Sequence, residues 1–160
     1  MVVSIIGLLA GLGFPAISGA MKAGKKAEVA AMGESIKTAI NAYYAEYSAY
    51  PTNSKGEYFT NSTSDFLIKM CTTNSADAGG NARQIVFLEV PPKFTNSSGI
   101  VTPVGFLKNQ TNFKILVDST SVGFVDPSSV STCTNTNVPA SVAVWVPDPI
   151  DPKKAVGSFK

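Results

Sequence analysis

The side chains on which most enzymes depend are scarce in this sequence. The chain has 160 residues, with no histidine and two cysteines, and Arg83 is its only arginine. The absence of histidine removes Ser–His and Cys–His nucleophile pairs, histidine-ligated zinc and most general-base chemistry near neutral pH. The composition therefore predicts a protein that is not an enzyme.

Cys71 and Cys133 are the two cysteines, and two readings of them are open. An even count in a chain that faces an oxidising compartment is typical of a disulfide. Such a bridge would close a loop of about 60 residues and stabilise the fold by roughly 4 kcal/mol on the chain-entropy model. Two buried free thiols, common in cytosolic proteins, are the alternative. We expect the disulfide on the condition that the chain is exported.

The charge balance makes nucleic acid an improbable partner. Charged residues form 15% of the chain, and 13 basic against 11 acidic residues leave a net charge of +2. Nucleic-acid binding needs a concentrated basic stripe, which this composition does not supply. We therefore expect no nucleic-acid partner.

Residues 1–21 contain no ionisable side chain. A helix of about 20 apolar residues can cross a bilayer core of roughly 30 Å, so this segment predicts a transmembrane or filament-core helix. The alternative is a cleavable secretory signal that ends in the small residues 18–20, although no basic residue precedes the apolar run. That alternative would make the protein a secreted, soluble one.

Helix breakers interrupt the apolar segment, namely Gly7, Gly11, Gly13 and Pro15. Pro15 lacks an amide donor and clashes with the carbonyl of the residue four positions earlier. Each glycine weakens the helix by about 1 kcal/mol relative to alanine. We expect residues 7–15 to kink or melt wherever neighbouring helices can satisfy the freed carbonyls.

The helical pattern continues through residues 22–51 as an amphipathic half of the same helix. Apolar side chains recur at intervals of three and four residues, which indicates one buried stripe. The stripe consists of Val29, Met32, Ile36, Ile40, Tyr43, Tyr47 and Tyr50. Pro51 should end the helix, because the residue before a proline disfavours helical geometry. The stripe is expected to pack on a domain built from the rest of the chain.

Residues 52–160 are rich in turn-forming residues with short apolar runs between them, and we refer to them as the head. The pattern predicts a short helix at residues 65–72 and strands at residues 84–90, 113–117, 122–125 and 141–146. Alternation at residues 141–146 favours a half-buried strand. The expected fold class is α+β, with a long N-terminal helix packed against a small antiparallel sheet.

The residues also carry a family likeness. The run VVSIIGLLA at residues 2–10 with Pro15, and YYAEYSAYP at residues 43–51, resemble type IV pilins and type II secretion pseudopilins. RQIVFLEVP at residues 83–91 is similar to heads of the major-pseudopilin branch. The likeness is specific over residues 2–51 and loose beyond them.

The resemblance implies a ladle-shaped structural subunit that polymerises into a pilus or pseudopilus filament through its apolar helix. Its implied partners are copies of itself, an inner-membrane assembly platform, a prepilin peptidase and, before assembly, the lipid bilayer. The implied location is the bacterial inner membrane and then a periplasmic or extracellular filament. A membrane-anchored minor pseudopilin or binding module that contacts secreted cargo is the alternative.

Two features of that family have no firm counterpart here. Its basic leader and its glutamate-containing N-terminal run would precede Met1, so we expect further residues there and transfer the glutamate's role to no residue.

Major pseudopilins often bind calcium in the later loops of the head. Weak candidates are Asp118, Asp126, Asp148 and Asp151, but calcium wants six to eight oxygen ligands. We expect solvated turn carboxylates and no cofactor.

Overall fold

A long helix runs into a small head in the computed structural model, which describes the backbone of residues 2–72 and 81–159 and the side chains of residues 17–72 and 81–159. Helix α1 spans Val2–Tyr47, 46 residues, or about 70 Å at 1.5 Å per residue. Its backbone is helical through residues 7–15, where the side chains lie outside the described part. A single chain offers no neighbour for the carbonyls that melting would free, so melting stays a prediction about an assembled state.

The helix ends at Tyr47, three residues before the expected end at Tyr50. Ser48 adopts a left-handed backbone with φ of 54°, and its N–H donates to the carbonyl of Tyr44 at 2.7 Å. This left-handed residue stops the helix before Pro51 can do so. Tyr50 then folds back, and its ring centroid lies 4.6 Å from that of Tyr44.

The head contains one further α-helix and two antiparallel sheets among its described residues. Helix α2 spans Ser64–Cys71. A two-stranded hairpin pairs β1 (Thr95–Asn96) with β2 (Gly99–Ile100). The main sheet has the order β3 (Lys114–Val117), β4 (Val142–Pro147) and β5 (Ala155–Gly157). Single turns of 3₁₀ helix occur at Pro92–Phe94 and Pro127–Ser129. The expected α+β class is therefore confirmed.

Strand β4 is the centre of the head, and both of its faces are buried. Val142, Val144 and Val146 join the large core under α1. Ala143 and Trp145 face a second core, where the Trp145 and Phe159 rings lie 5.5 Å apart. The half-buried strand expected from alternation is wrong, because a second apolar layer covers the face that carries the tryptophan.

Two expected strands are absent from the described structure. Residues 84–90 form no strand: Gln84 has a left-handed backbone with φ of 55°, and the N–H groups of Phe87 and Leu88 both donate to the carbonyl of Met70 in α2. Of residues 122–125, only Val125 pairs, in an isolated bridge with Val138. The short helix, expected at residues 65–72, is present one residue earlier, and its Phe66 and Met70 are fully buried.

The helix crosses the sheet at two glycines. A Cβ on Gly33 of α1 would lie 3.2 Å from the Cα of Gly157 in β5. A Cβ on Gly157 would lie 2.1 Å from the carbonyl oxygen of Val144 and 2.6 Å from the Cα of Trp145. Gly157 therefore has no room for a side chain. Because it has none, β5 and α1 can both approach β4 closely.

Gly157→Ala should destabilise the head by about 3 kcal/mol or more, because the added methyl group meets backbone that cannot move without breaking the β4–β5 ladder. Gly24→Ala is the matched control, since a Cβ there meets nothing within 4 Å and alanine favours an exposed helix by about 1 kcal/mol. Denaturant unfolding followed by circular dichroism measures both changes. Equal stability of the two variants would contradict the proposed role of Gly157.

Candidate functional site

The stripe predicted on the amphipathic half of α1 forms the interface between helix and head. Val29, Ile36 and Ile40 are fully buried, and Met32 and Tyr43 are nearly so. Tyr47 and Tyr50 are partly buried and pack on the same core. Their partners are the valines of β4 and Val156 of β5. Since each large apolar side chain gains about 1.5–3 kcal/mol on burial, this stripe is the main attachment of the head to the helix.

N-terminal to this interface, the helix loses its cover. Residues 17–27 are exposed, and Ile17 and Met21 are each 62% accessible. Over the residues whose side chains are described, no helix is both long enough and apolar enough to cross a membrane. Most of the segment expected to do so, residues 1–16, lies outside that range.

An ion pair marks the place where the helix leaves the head. The Lys26 ammonium donates to Asp148 Oδ2, and the N–H of Ile150 donates to Asp148 Oδ1 at 2.9 Å. Asp148 is 4% exposed. Burial opposes its ionisation, but the Lys26 ammonium and the backbone N–H groups outweigh it and hold the pKa of Asp148 below its usual value. The carboxylate thus ties the loop after β4 to α1.

A second polar tie lies at the C-terminal end of the interface. The Tyr47 hydroxyl donates to Asn81 Oδ1 at 2.8 Å and accepts from the N–H of Arg83 at 3.0 Å. The guanidinium of Arg83 pairs with Glu46, and the Tyr43 ring packs edge-on against Phe87 at 5.3 Å. The tyrosines of α1 therefore hold residues 81–88 as well as the sheet.

Asp118, the first calcium candidate, is used within its own loop. Its carboxylate accepts from the N–H groups of Thr120, Val122 and Gly123 and from the Thr120 hydroxyl, at 2.7–3.2 Å. The Gly123 N–H contributes most to holding the pKa of Asp118 below its usual value. The carboxylate thereby closes the loop after β3.

The other three candidates are likewise held by local turns and are not brought together. Asp126 accepts from the N–H of Ser128 at 3.0 Å and caps the turn Pro127–Ser129. Asp151 accepts from the N–H of Lys153 at 3.2 Å. Asp148 is paired with Lys26. Over the described ranges, no three His, Cys, Asp or Glu side chains gather as metal ligands would.

The expected disulfide is not formed, since Cys71 and Cys133 are both free thiols. Cys71 ends α2 and packs against the core under α1. Cys133 lies beside Trp145 on the other face of β4, and its thiol lies 3.2 Å from Asn135 Oδ1. The sheet separates the two cysteines, which a count of cysteines could not reveal.

Three buried polar residues that no sequence pattern identified organise the head. Ser62, fully buried, donates to the carbonyl of Ile100 at 2.6 Å and accepts from the N–H of Phe113 at 2.9 Å. Asn81 donates to the carbonyls of Ile85 and Lys69. The Lys69 ammonium donates to the carbonyl of Thr52, and burial lowers its pKa. Each joins separate backbone segments of the head through side-chain to backbone hydrogen bonds.

No family model, curated protein or solved structure matched this chain.

Asp148→Asn should lower the free energy of unfolding by about 1–2 kcal/mol at pH 7, because it keeps the Ile150 contact and removes the attraction to a half-exposed Lys26. A depressed pKa gives stability that is present above the unfolded value of about 3.9 and is lost as pH falls through the lower folded value. The variant should therefore lose less stability on acidification than the native protein. Asp126→Asn, which keeps its cap, should change stability little.

Denaturant titrations at pH 7 and pH 3 measure these differences. If Asp148→Asn and Asp126→Asn behave alike at both pH values, the Lys26–Asp148 pair contributes nothing to holding the head on the helix.

Both cysteines should be found as thiols, and Cys71 should react slowly. Burial raises the pKa of Cys71 to about 11, which leaves a thiolate fraction of about one in a thousand at pH 8. Alkylation of native Cys71 should therefore be at least about 100-fold slower than that of free cysteine. Unfolded protein without reductant should label at both positions by mass spectrometry. Labelling that requires a reductant would reveal a disulfide.

Proposed function

We propose that this chain is a structural subunit that polymerises into a type IV pilus-like or type II secretion pseudopilus filament through its apolar N-terminal helix. The observation that carries the proposal is one helix in two environments. From Val29 onward its stripe is buried in the head, whereas residues 17–27 are uncovered and the sequence before Lys22 has no ionisable side chain.

A helix that is apolar on every side is unstable when it is exposed to water, because its apolar surface stays solvated. Such a helix is stable in a bilayer or in a bundle with others of its kind. At about 25 cal/mol per Å² of buried apolar surface, bundling several such segments would contribute tens of kcal/mol before entropy costs. We infer that the protein has a membrane stage and an assembled stage, with the filament core formed by residues 1–21.

The head is suited to lie beside identical copies. Charged residues form 15% of the chain, and several loops of the head are rich in Ser, Thr and Asn. Close packing of identical surfaces places like charges near one another, and a polar surface with little charge reduces that repulsion. The ties at Asp148 and Asn81 hold the head in one orientation on α1, which a regular filament requires.

Ile17→Asp tests the role of the helix. Ile17 is 62% exposed and precedes the first core residue by three turns, so the change should leave the melting temperature of the head unaltered. In the bundled state the buried, unpaired carboxylate should abolish fibres. Val122→Asp, at an equally exposed position on the head, is the matched control and should retain them. Electron microscopy and sedimentation of membrane-extracted protein measure the outcome.

Native protein that sediments as single chains and forms no fibres would overturn the filament proposal. Single chains that keep the helix in detergent would instead favour an anchored minor subunit or cargo-binding module.

A further inference from the structure

We infer that the groove where α1 leaves the head binds the headgroups of anionic phospholipids, so that the head rests on the membrane surface before assembly. The groove, which we call the basal groove, has a volume of about 530 Å³ and lies between residues 19–26 of the helix and two loops of the head. The inference rests on the membrane stage of the proposed function and adds to it a lipid class and a binding site.

The helix face that packs on the head changes from apolar to basic at this groove. Counting back from Val29 along the same face, the next side chains are Lys26, Lys25 and Lys22, and all three line the groove. Only one carboxylate, Asp148, lines it with them, and that carboxylate is paired with Lys26. Over the described residues, Lys22 and Lys25 have no ion-pair partner, so the groove presents uncompensated positive charge.

Two tight turns of the head carry exposed aliphatic side chains, one in the lining of this groove and one next to it in the chain. The Phe106 N–H donates to the Pro103 carbonyl at 3.1 Å, which leaves Val104 at the tip of its turn, 82% exposed. Ile150, between Pro149 and Asp151, is 83% exposed. Turn tips usually carry polar residues. A single exposed aliphatic residue needs no explanation, but here Ile150 lines the basic groove and Val104 directly precedes Gly105, which also lines it.

Aliphatic tips beside unpaired lysines are the pattern expected at a membrane surface. Apolar side chains enter the boundary between headgroups and acyl chains, while lysines bind the anionic groups above it. The position along the chain agrees, since Lys22 follows 21 residues without charge, about 30 Å of helix and the thickness of a bilayer core. The side chain of Lys25 also reaches the turn that contains Val104, since its ammonium lies 3.5 Å from the carbonyl oxygen of Gly105.

The experiment uses the full chain reconstituted in vesicles of phosphatidylcholine, with or without phosphatidylglycerol, whose acyl chains are brominated. Val104→Trp and Ile150→Trp place a fluorophore on each turn, and Val122→Trp is the matched control. Val122 lies in the loop after β3, at the opposite end of the sheet from Asp148. The native Trp145 is 1% exposed and supplies a constant background.

We expect lipid quenching and a blue shift at positions 104 and 150 only when phosphatidylglycerol is present, and neither at position 122. Adding Lys22→Gln and Lys25→Gln should lower the ratio of membrane-contacting to free heads about 30-fold, since each lysine near an anionic surface contributes about 1 kcal/mol. Lys37→Gln with Lys55→Gln, away from the groove, should leave the ratio unchanged.

Equal quenching in the two kinds of vesicle, or no more quenching at positions 104 and 150 than at 122, would overturn the basal-groove inference alone. Chains that fail to float with either vesicle would overturn both this inference and the membrane stage. Chains that show the expected quenching yet form no fibres would leave the groove standing and overturn the filament proposal.

Discussion

The close approach of α1 to the sheet at Gly33 and Gly157 is the contact on which the rest of the head depends. A side chain at Gly157 would meet the backbone of Val144 and Trp145, so only a glycine lets β5 complete the sheet beneath the helix. Once the two glycines meet, the valines of β4 lie against Ile36 and Ile40 in one core. The sheet, in turn, gives the apolar stripe of α1 a place to be buried.

Polar ties at the two ends of this core fix the direction in which the helix leaves it. Asp148 binds Lys26 where the helix becomes exposed, and Tyr47 binds Asn81 where it ends. The two contacts are separated by 21 residues of helix, roughly 30 Å. Apolar packing alone is non-directional, whereas two well-separated hydrogen-bonded contacts prevent the head from rotating or sliding along the helix.

The elements that sequence reasoning located are those with a periodic apolar pattern. The stripe of α1, the short helix α2 and strand β4 follow from periods of three to four and of two residues. The two expected strands that are absent were lost to single hydrogen-bonding groups that have no periodic signature. Residues 84–90 stay unpaired because the carbonyl of Met70 and the amide of Asn81 take their backbone groups, and residues 122–125 begin in a loop closed by Asp118.

The same limit applies to the candidate site. Tyr43, Tyr47 and the rest of the stripe could be assigned from spacing alone, but the state of the cysteines could not. Pairing depends on which face of β4 each thiol occupies, and no local pattern encodes that. The sequence alone did not reveal the basal groove either, because Lys22, Gly105 and Ile150 are distant in sequence and each is ordinary alone. The groove can be recognised only in the folded chain, where these residues come together at the point where the helix leaves the head.

That meeting point also explains how one helix serves two environments. C-terminal to Lys26 the helix face is paired with the sheet of its own chain, and N-terminal to it the same face carries unpaired lysines and then uncharged sequence. In the proposed function residues 1–21 exchange lipid for neighbouring helices, and among the described residues the two apolar clusters that fold the head begin only at Val29. We therefore expect the head to fold in the same way whether or not the helix associates with others.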